Sequence, residues 1–285
     1  MRPATDVRCV LGEGPIWSPA ESALYWIDIL GRQLHRLLDG DVRTWDLPAK
    51  PGCVALREQG GVLVALATGV HALDPDSGAL ELISDPEPNR PGNRLNDGSV
   101  DAAGRFWIGS MDDAEKSPDA GSLYRIAPDG TVTTVLTGLG ISNGMGWSPD
   151  GATMYHTDTT VRRITAYDVD VATGDITGGR LFATDTDCFP DGLTVDADGY
   201  VWSAKWDGWR VIRYAPDGAI DRVLPLPVQR PSSVAFGGPD LDRLFVSSAR
   251  TDLSPSALTA GPLAGALLVV DDLGLRGRPE PLCGL

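Results

Sequence analysis

Histidine is scarce in this chain of 285 residues: His35, His71 and His156 are the only three. Each histidine falls inside a predicted strand, where a histidine is far more often packed or solvated than catalytic, so no nucleophilic triad is expected. Cysteine is nearly as rare. Cys9, Cys53, Cys188 and Cys283 are widely spaced with no Cys-x-x-Cys pair, and a chain of this size does not need disulfide staples. Cys188 precedes Asp191 by three residues, but no histidine is placed to activate it, so it reads as a structural thiol. Long apolar runs are missing too: nothing approaches the roughly 20 residues that span a bilayer. Met1 to Cys9 lacks the apolar segment of a signal peptide, which makes the expected location cytoplasmic. Basic residues are in deficit, with 24 Lys and Arg against 39 Asp and Glu and a net charge of −15. That sign repels phosphate backbones and anionic lipids, so neither nucleic acid nor membrane is an expected partner.

Turn formers, by contrast, are plentiful: 34 Gly and 22 Pro suit a fold of many tight turns. They punctuate a repeat. A turn leading into an aromatic or aliphatic strand recurs six times, and aligning Trp26, Val64, Trp107, Tyr155, Trp202 and Phe245 gives intervals of 38 to 48 residues. One four-stranded unit per such period is the mark of a β-propeller. The predicted fold is all-β: a six-bladed β-propeller of four antiparallel strands per blade, forming one domain over 1–285. The segment Asp6–Val10 has no partner of its own, so it is expected to join the last blade and close the ring, removing exposed edges.

A propeller gathers one loop from each blade around its axis, so residues far apart in sequence can share a site. The lead-ins to the inner strands carry Glu13, Asn96, Asn143 and Asp191 at matching positions of different blades, each beside glycine or one residue from it. A single Asn-Gly or Asp-Gly is merely a turn; four at matching places point to an axial site. Glu13, Asn143 and Asp191 offer oxygen donors only, which suits a hard divalent cation, and three protein ligands leave positions open for water and substrate. On the same face lie the polar insertion 110–120, a second long connection at 250–265, and Lys205-Trp-Asp-Gly-Trp209. Trp206 and Trp209 in the last of these could stack on a sugar ring or pack against a neighbouring loop.

Leu11-Gly-Glu-Gly-Pro15, Asn93-Arg-Leu-Asn-Asp-Gly98, Gly140-Ile-Ser-Asn-Gly144 and Pro190-Asp-Gly192, with Gly121-Ser-Leu-Tyr124 and Phe236-Gly-Gly238, carry a resemblance to the gluconolactonase/regucalcin family, also called the senescence marker protein family. It runs along essentially the whole chain. The resemblance implies one divalent cation (Ca²⁺, Mg²⁺, Mn²⁺, Zn²⁺ or Fe²⁺) on Glu13, Asn143 and Asp191, and substrate contacts from Arg94 and Asn96. Asp97 is expected to support its loop, and the loop around Met111 and Asp112 to form a lid. The implied activity is hydrolysis of a pentono- or hexonolactone to the aldonic acid, with Asp191 as candidate general base and a sugar lactone as the small-molecule partner. The competing expectations are a calcium-binding regulatory propeller without turnover and a propeller hydrolase for a non-sugar ester.

Overall fold

Six four-stranded antiparallel sheets stand around a common axis in the computed structural model, which describes residues 1–285. Blade 1 comprises Gly12–Ser18, Ala23–Asp28, Gln33–Leu38 and Asp41–Asp46. Blade 2 comprises Pro51–Leu56, Val62–Leu66, Gly69–Leu73 and Leu80–Ser84, and blade 3 Asn93–Val100, Phe106–Asp112, Gly121–Ile126 and Val132–Leu139. Blade 4 follows with Ser142–Trp147, Thr153–Asp158, Arg163–Val169 and Ile176–Thr184. Blade 5 has Phe189–Val195, Val201–Trp206, Arg210–Tyr214 and Ile220–Pro225. Blade 6 takes Arg230–Gly237, Arg243–Ala249 and Ala266–Val270 from the end of the chain and its outer strand, Arg2–Arg8, from the beginning.

The ring closes as expected, by antiparallel pairing of the N-terminal strand with Ala266–Val270. Its bounds differ from the expectation: pairing starts at Arg2↔Val269 and Pro3↔Leu268, ahead of Asp6, and ends at Arg8↔Ala266. Proline is tolerated there because this is the blade's outermost strand, where a missing N–H can face solvent.

The apolar core is divided into wedges, because each sheet buries both faces against its neighbours. Tyr25 and Ile27 of blade 1 pack with Val62 and Val64 of blade 2. Trp107 of blade 3 meets Met145 and Met154 of blade 4, and Trp26 of blade 1 shares a cluster with Phe245 of blade 6. The repeated second-strand positions supply these rings and branched chains, which explains why they mark the period.

Inner strands pack against one another around the axis. Each slips register against its second strand once, near its upper end: between Glu13 and Ile16, Pro51 and Cys53, Leu95 and Gly98, Ser142 and Met145, Pro190 and Leu193, and Pro231 and Val234. Such bulges bend a strand and re-aim a side chain. Glycine permits the crowding beside them: a Cβ at Gly144 would come 2.6 Å from the Asp191 carbonyl oxygen of the next blade.

The opposite mouth is crossed by a strap, residues 271–285. Gly277 N–H donates to Leu241 O at 2.8 Å, and Arg276 O accepts from Ala197 N–H at 2.9 Å. Farther along, Arg278 Nη1 reaches Ser148 O at 3.3 Å, Cys283 N–H donates to Leu56 O at 2.8 Å, and Gly284 N–H to Gly104 O at 3.1 Å. The strap thus touches blades 6, 5, 4, 2 and 3 in turn. Cys9, Cys53, Cys188 and Cys283 are all buried and free, as their spacing suggested. The connection 250–265 contains a short helix, Pro255–Ala260, whose N-cap Ser254 side chain accepts from Ala257 N–H.

Candidate active site at the axis

Above the inner-strand bulges opens a cavity of about 520 Å³, within the range of small-molecule sites. Glu13, Arg94, Asn96, Asn143 and Asp191 all border it, so the expected ligands and substrate contacts are brought together around one cavity. Four of them, Glu13, Asn96, Asn143 and Asp191, lie at or within the register slips of blades 1, 3, 4 and 5.

Glu13 and Asp191 are 7% and 6% exposed, and neither has a salt-bridge partner within 4.0 Å. The Glu13 carboxylate accepts from Gly14 N–H at 2.8 Å. The Asp191 carboxylate accepts from Asn143 Nδ2, which also donates to Thr159 Oγ1 at 3.0 Å. Burial pushes the Glu13 carboxyl well above the usual carboxylate range, and the charges of Asp191 and Asp97 push it further. Burial likewise raises Asp191 well above that range, reinforced by Asp97 and opposed by the bond from Asn143. Asp97 itself faces a smaller axial cavity beneath, of about 150 Å³, and burial lifts its carboxyl to about 6. Its carboxylate accepts from Gly98 N–H at 2.8 Å.

Like charges gathered in a dry place without a basic partner in contact call for a proton or a cation. That deficit, with the oxygen-only donor set, fits a hard divalent ion held by Glu13, Asp191 and the Asn143 amide. No cluster of three or more His, Cys, Asp and Glu side chains with ligating spacing occurs in the molecule, and the oxygen donor beside the two carboxylates is the Asn143 amide, whose Oδ1 accepts from Gly144 N–H at 3.0 Å.

Arg94 is buried, and its guanidinium is held on several sides. Its Nη1 donates to Asn96 Oδ1 at 2.7 Å and to Leu95 O at 3.2 Å, while Nε lies 3.2 Å from Asp113 Oδ1. Asp113 is gripped in turn by Lys50 Nζ at 2.8 and 2.9 Å. Asn96 Nδ2 donates to Ser142 O at 2.9 Å, so the amide is already engaged at both ends and orients Arg94, with one N–H left over. Asp113 and Lys50 escaped the sequence reading: one sits in the insertion, the other leads into blade 2, and only the fold joins them.

The insertion 110–120 borders the cavity through Met111, Asp112, Glu115, Lys116, Ser117 and Pro118. Asp112 shapes its base, accepting from Lys116 N–H at 2.9 Å and Ser117 N–H at 3.0 Å. These bonds hold the Asp112 carboxyl below its usual range. Phe189 and Trp206 of blade 5, paired in register, also border the cavity. The two tryptophans flagged in the sequence part company here. Trp206 borders the cavity, whereas the Trp209 ring lies against the 250–265 connection, where a Cβ at Gly261 would be 3.2 Å from it. His156 is tied to Ser142 Oγ at 2.8 Å, and burial depresses it to about 4, so it rests neutral inside blade 4.

The family described as SMP-30/gluconolactonase/LRE-like region matches residues 11–250. A 6-deoxy-6-sulfogluconolactonase from Pseudomonas putida is 39% identical over 277 residues, covering 96% of this chain and 94% of that protein. An L-arabinolactonase from Azospirillum brasilense is 42% identical over 271 residues, covering 93% and 89%. Among solved structures, a calcium-binding protein, regucalcin, from Agrobacterium tumefaciens superimposes with a TM-score of 0.93 at 36% identity, covering 99% of this chain and 96% of that one. On its motifs, its six blades and these matches, the chain belongs to the SMP-30/gluconolactonase family.

Proposed function

We propose that the protein is a lactonase that hydrolyses a sugar-acid lactone, a pentono- or hexonolactone, to the aldonic acid, with a divalent cation at Glu13, Asn143 and Asp191. The convergence of these three with Arg94 and Asn96 on one cavity carries the reading, supported by relatives whose names are those of sugar lactonases. A bound divalent cation would supply Lewis-acid polarisation of the lactone carbonyl and of a water.

The chain's own residues account for the remaining needs. Arg94, fixed by Asn96 and Asp113, offers N–H donors where the carbonyl oxygen gains negative charge, and the spare N–H of Asn96 can join it. Asp191 takes the proton of the water as its oxygen bonds to the carbonyl carbon. The ring C–O bond then breaks, and the leaving alkoxide takes a proton back from Asp191, giving the hydroxy acid. Burial raises the basicity of Asp191 toward this task, whereas coordination lowers it, so the two roles assigned to Asp191 oppose each other.

Acid release from a panel of aldonolactones, with defined divalent metals, with chelator and with spontaneous hydrolysis subtracted, tests the proposal. Chelator-sensitive turnover is the expected result; absence of turnover with every metal overturns it. The regucalcin match favours one alternative, a calcium-binding propeller without turnover, and stoichiometric metal binding in a protein inactive on the whole panel would select it.

A further inference from the structure

We infer that Trp206, backed by Arg230 and flanked by Phe189, is the surface on which the lactone ring stacks, and so sets selectivity for substrates with an apolar ring face. The inference deepens the lactonase reading and rests on it.

Several observations point the same way. Trp206 is half-buried and borders the cavity, while Arg230 does not, yet the Arg230 guanidinium sits 4.9 Å from the indole centroid. The cation therefore covers the rear of the ring and leaves the front to the cavity. Arg230 is not free to move: its Nε donates to Asp207 Oδ1 at 2.7 Å and its Nη1 to Thr251 O at 2.7 Å. Asp207 also accepts from Gln229 Nε2 at 2.8 Å. The turn that presents the indole is costly to form, since Asp207 and Trp209, on either side of Gly208, have φ of 59° and 54°. Non-glycine residues in the left-handed region persist only where surroundings impose them. Phe189 repeats the arrangement, bordering the cavity while Arg162 covers its other side at 4.1 Å.

A rigid aromatic ring with a fixed rear suits a ligand that is polar at its rim and carries C–H groups on one face. An aldonolactone has that character. The rest of the lining supplies the polar complement in Arg94, Asn96 and Lys116. Stacking of this kind is the same in the ground state and the transition state, so it acts on KM and leaves kcat alone.

The test compares Trp206→Ala and Trp206→Phe with the parent protein on the best aldonolactone of the panel, and titrates each with the corresponding aldonate while following tryptophan emission. Trp206→Ala should raise KM about tenfold with kcat within about twofold, and Trp206→Phe should recover most of the loss. The aldonate should change the emission of the parent and leave that of folded Trp206→Phe nearly unaltered. A parent that hydrolyses the lactone while Trp206→Ala keeps its KM overturns the stacking role and leaves the lactonase reading standing. A parent that neither hydrolyses nor binds any member of the panel overturns both.

Discussion

Asp101 and Asp196 are 4% and 0% exposed, as deep as Glu13 and Asp191, yet the two sets of carboxylates live in opposite circumstances. Asp101 accepts from Arg105 Nε at 2.6 Å and from the Trp107 indole at 2.9 Å, besides the backbone N–H groups of Ala103 and Arg105. Asp196 repeats the pattern two blades on, with Arg213 Nε and the Trp202 indole each at 2.9 Å. Both stand at the hairpin between inner and second strands, and both are saturated. Glu13 and Asp191, at the other end of the inner strands, have a single hydrogen bond or little more each and repel one another. Burial with full pairing makes a strut, and burial without it makes a place for something to bind.

The contrast can be broken most forcefully at a strut. Asp196→Ala leaves the Trp202 N–H without its acceptor and Arg213 with Asp221 as its remaining close carboxylate, and should cost about 3 kcal/mol in denaturant melts while folded molecules keep their activity. At the axis the same removal should act in reverse. Asp191→Asn should lower lactone turnover and divalent-metal affinity together, by about a hundredfold or more. With chelator present, it should raise stability by about 1–2 kcal/mol, because a repelled buried charge has gone. A destabilised, metal-competent Asp191→Asn would put Asp191 among the struts. Arg94→Ala should spare metal affinity and cost about tenfold or more in kcat/KM, read from saturation curves.

The smallest effect concerns protons. Carboxyls raised in the folded state bind more protons there than in the unfolded chain, so the strain they impose at neutral pH is relieved as pH falls through the folded values, which for Asp97 is about 6. His35 and His156, both depressed to about 4, pull the other way: below their unfolded value near 6.5 the unfolded chain binds the extra protons. The histidine contribution is common to metal-free and metal-loaded protein and cancels in their difference. The rise in Tm on adding divalent cation should therefore be larger at about pH 7.5 than at about pH 5, where protons compete for the same carboxylates. A pH-independent rise would place the ion elsewhere.

The period was readable in the sequence because it is local, and the struts keep to it, although no reading of the sequence had singled them out. Asp101 and Trp107, or Asp196 and Trp202, are six residues apart with a turn between them, and the same spacing recurs. The candidate ligands were readable for a related reason: each sits on a short Gly-containing lead-in at the same phase of the repeat. What aims them, a register slip in all six inner strands, leaves no mark in residue type, since Gly52 and Ser232 occupy it in blades 2 and 6. Nor could spacing reveal the Lys50–Asp113–Arg94 chain, which depends on how the 110–120 insertion folds back. Trp206 and Trp209 differ by three positions and by nothing in chemistry; the turn between them decides which one meets the cavity. The helix at Pro255–Ala260 had a legible start in Ser254-Pro255, but it is too short to show a periodic face.

The strap across the far mouth turns the hollow ring into a cul-de-sac. Whatever small molecule arrives at Glu13 and Asp191 must depart past the same insertion and the same aromatic wall that admitted it. Traffic is two-way through one doorway, so an accumulating product would stand in the path of its own precursor, and shortening the chain from its carboxyl end would unlatch five blades at once.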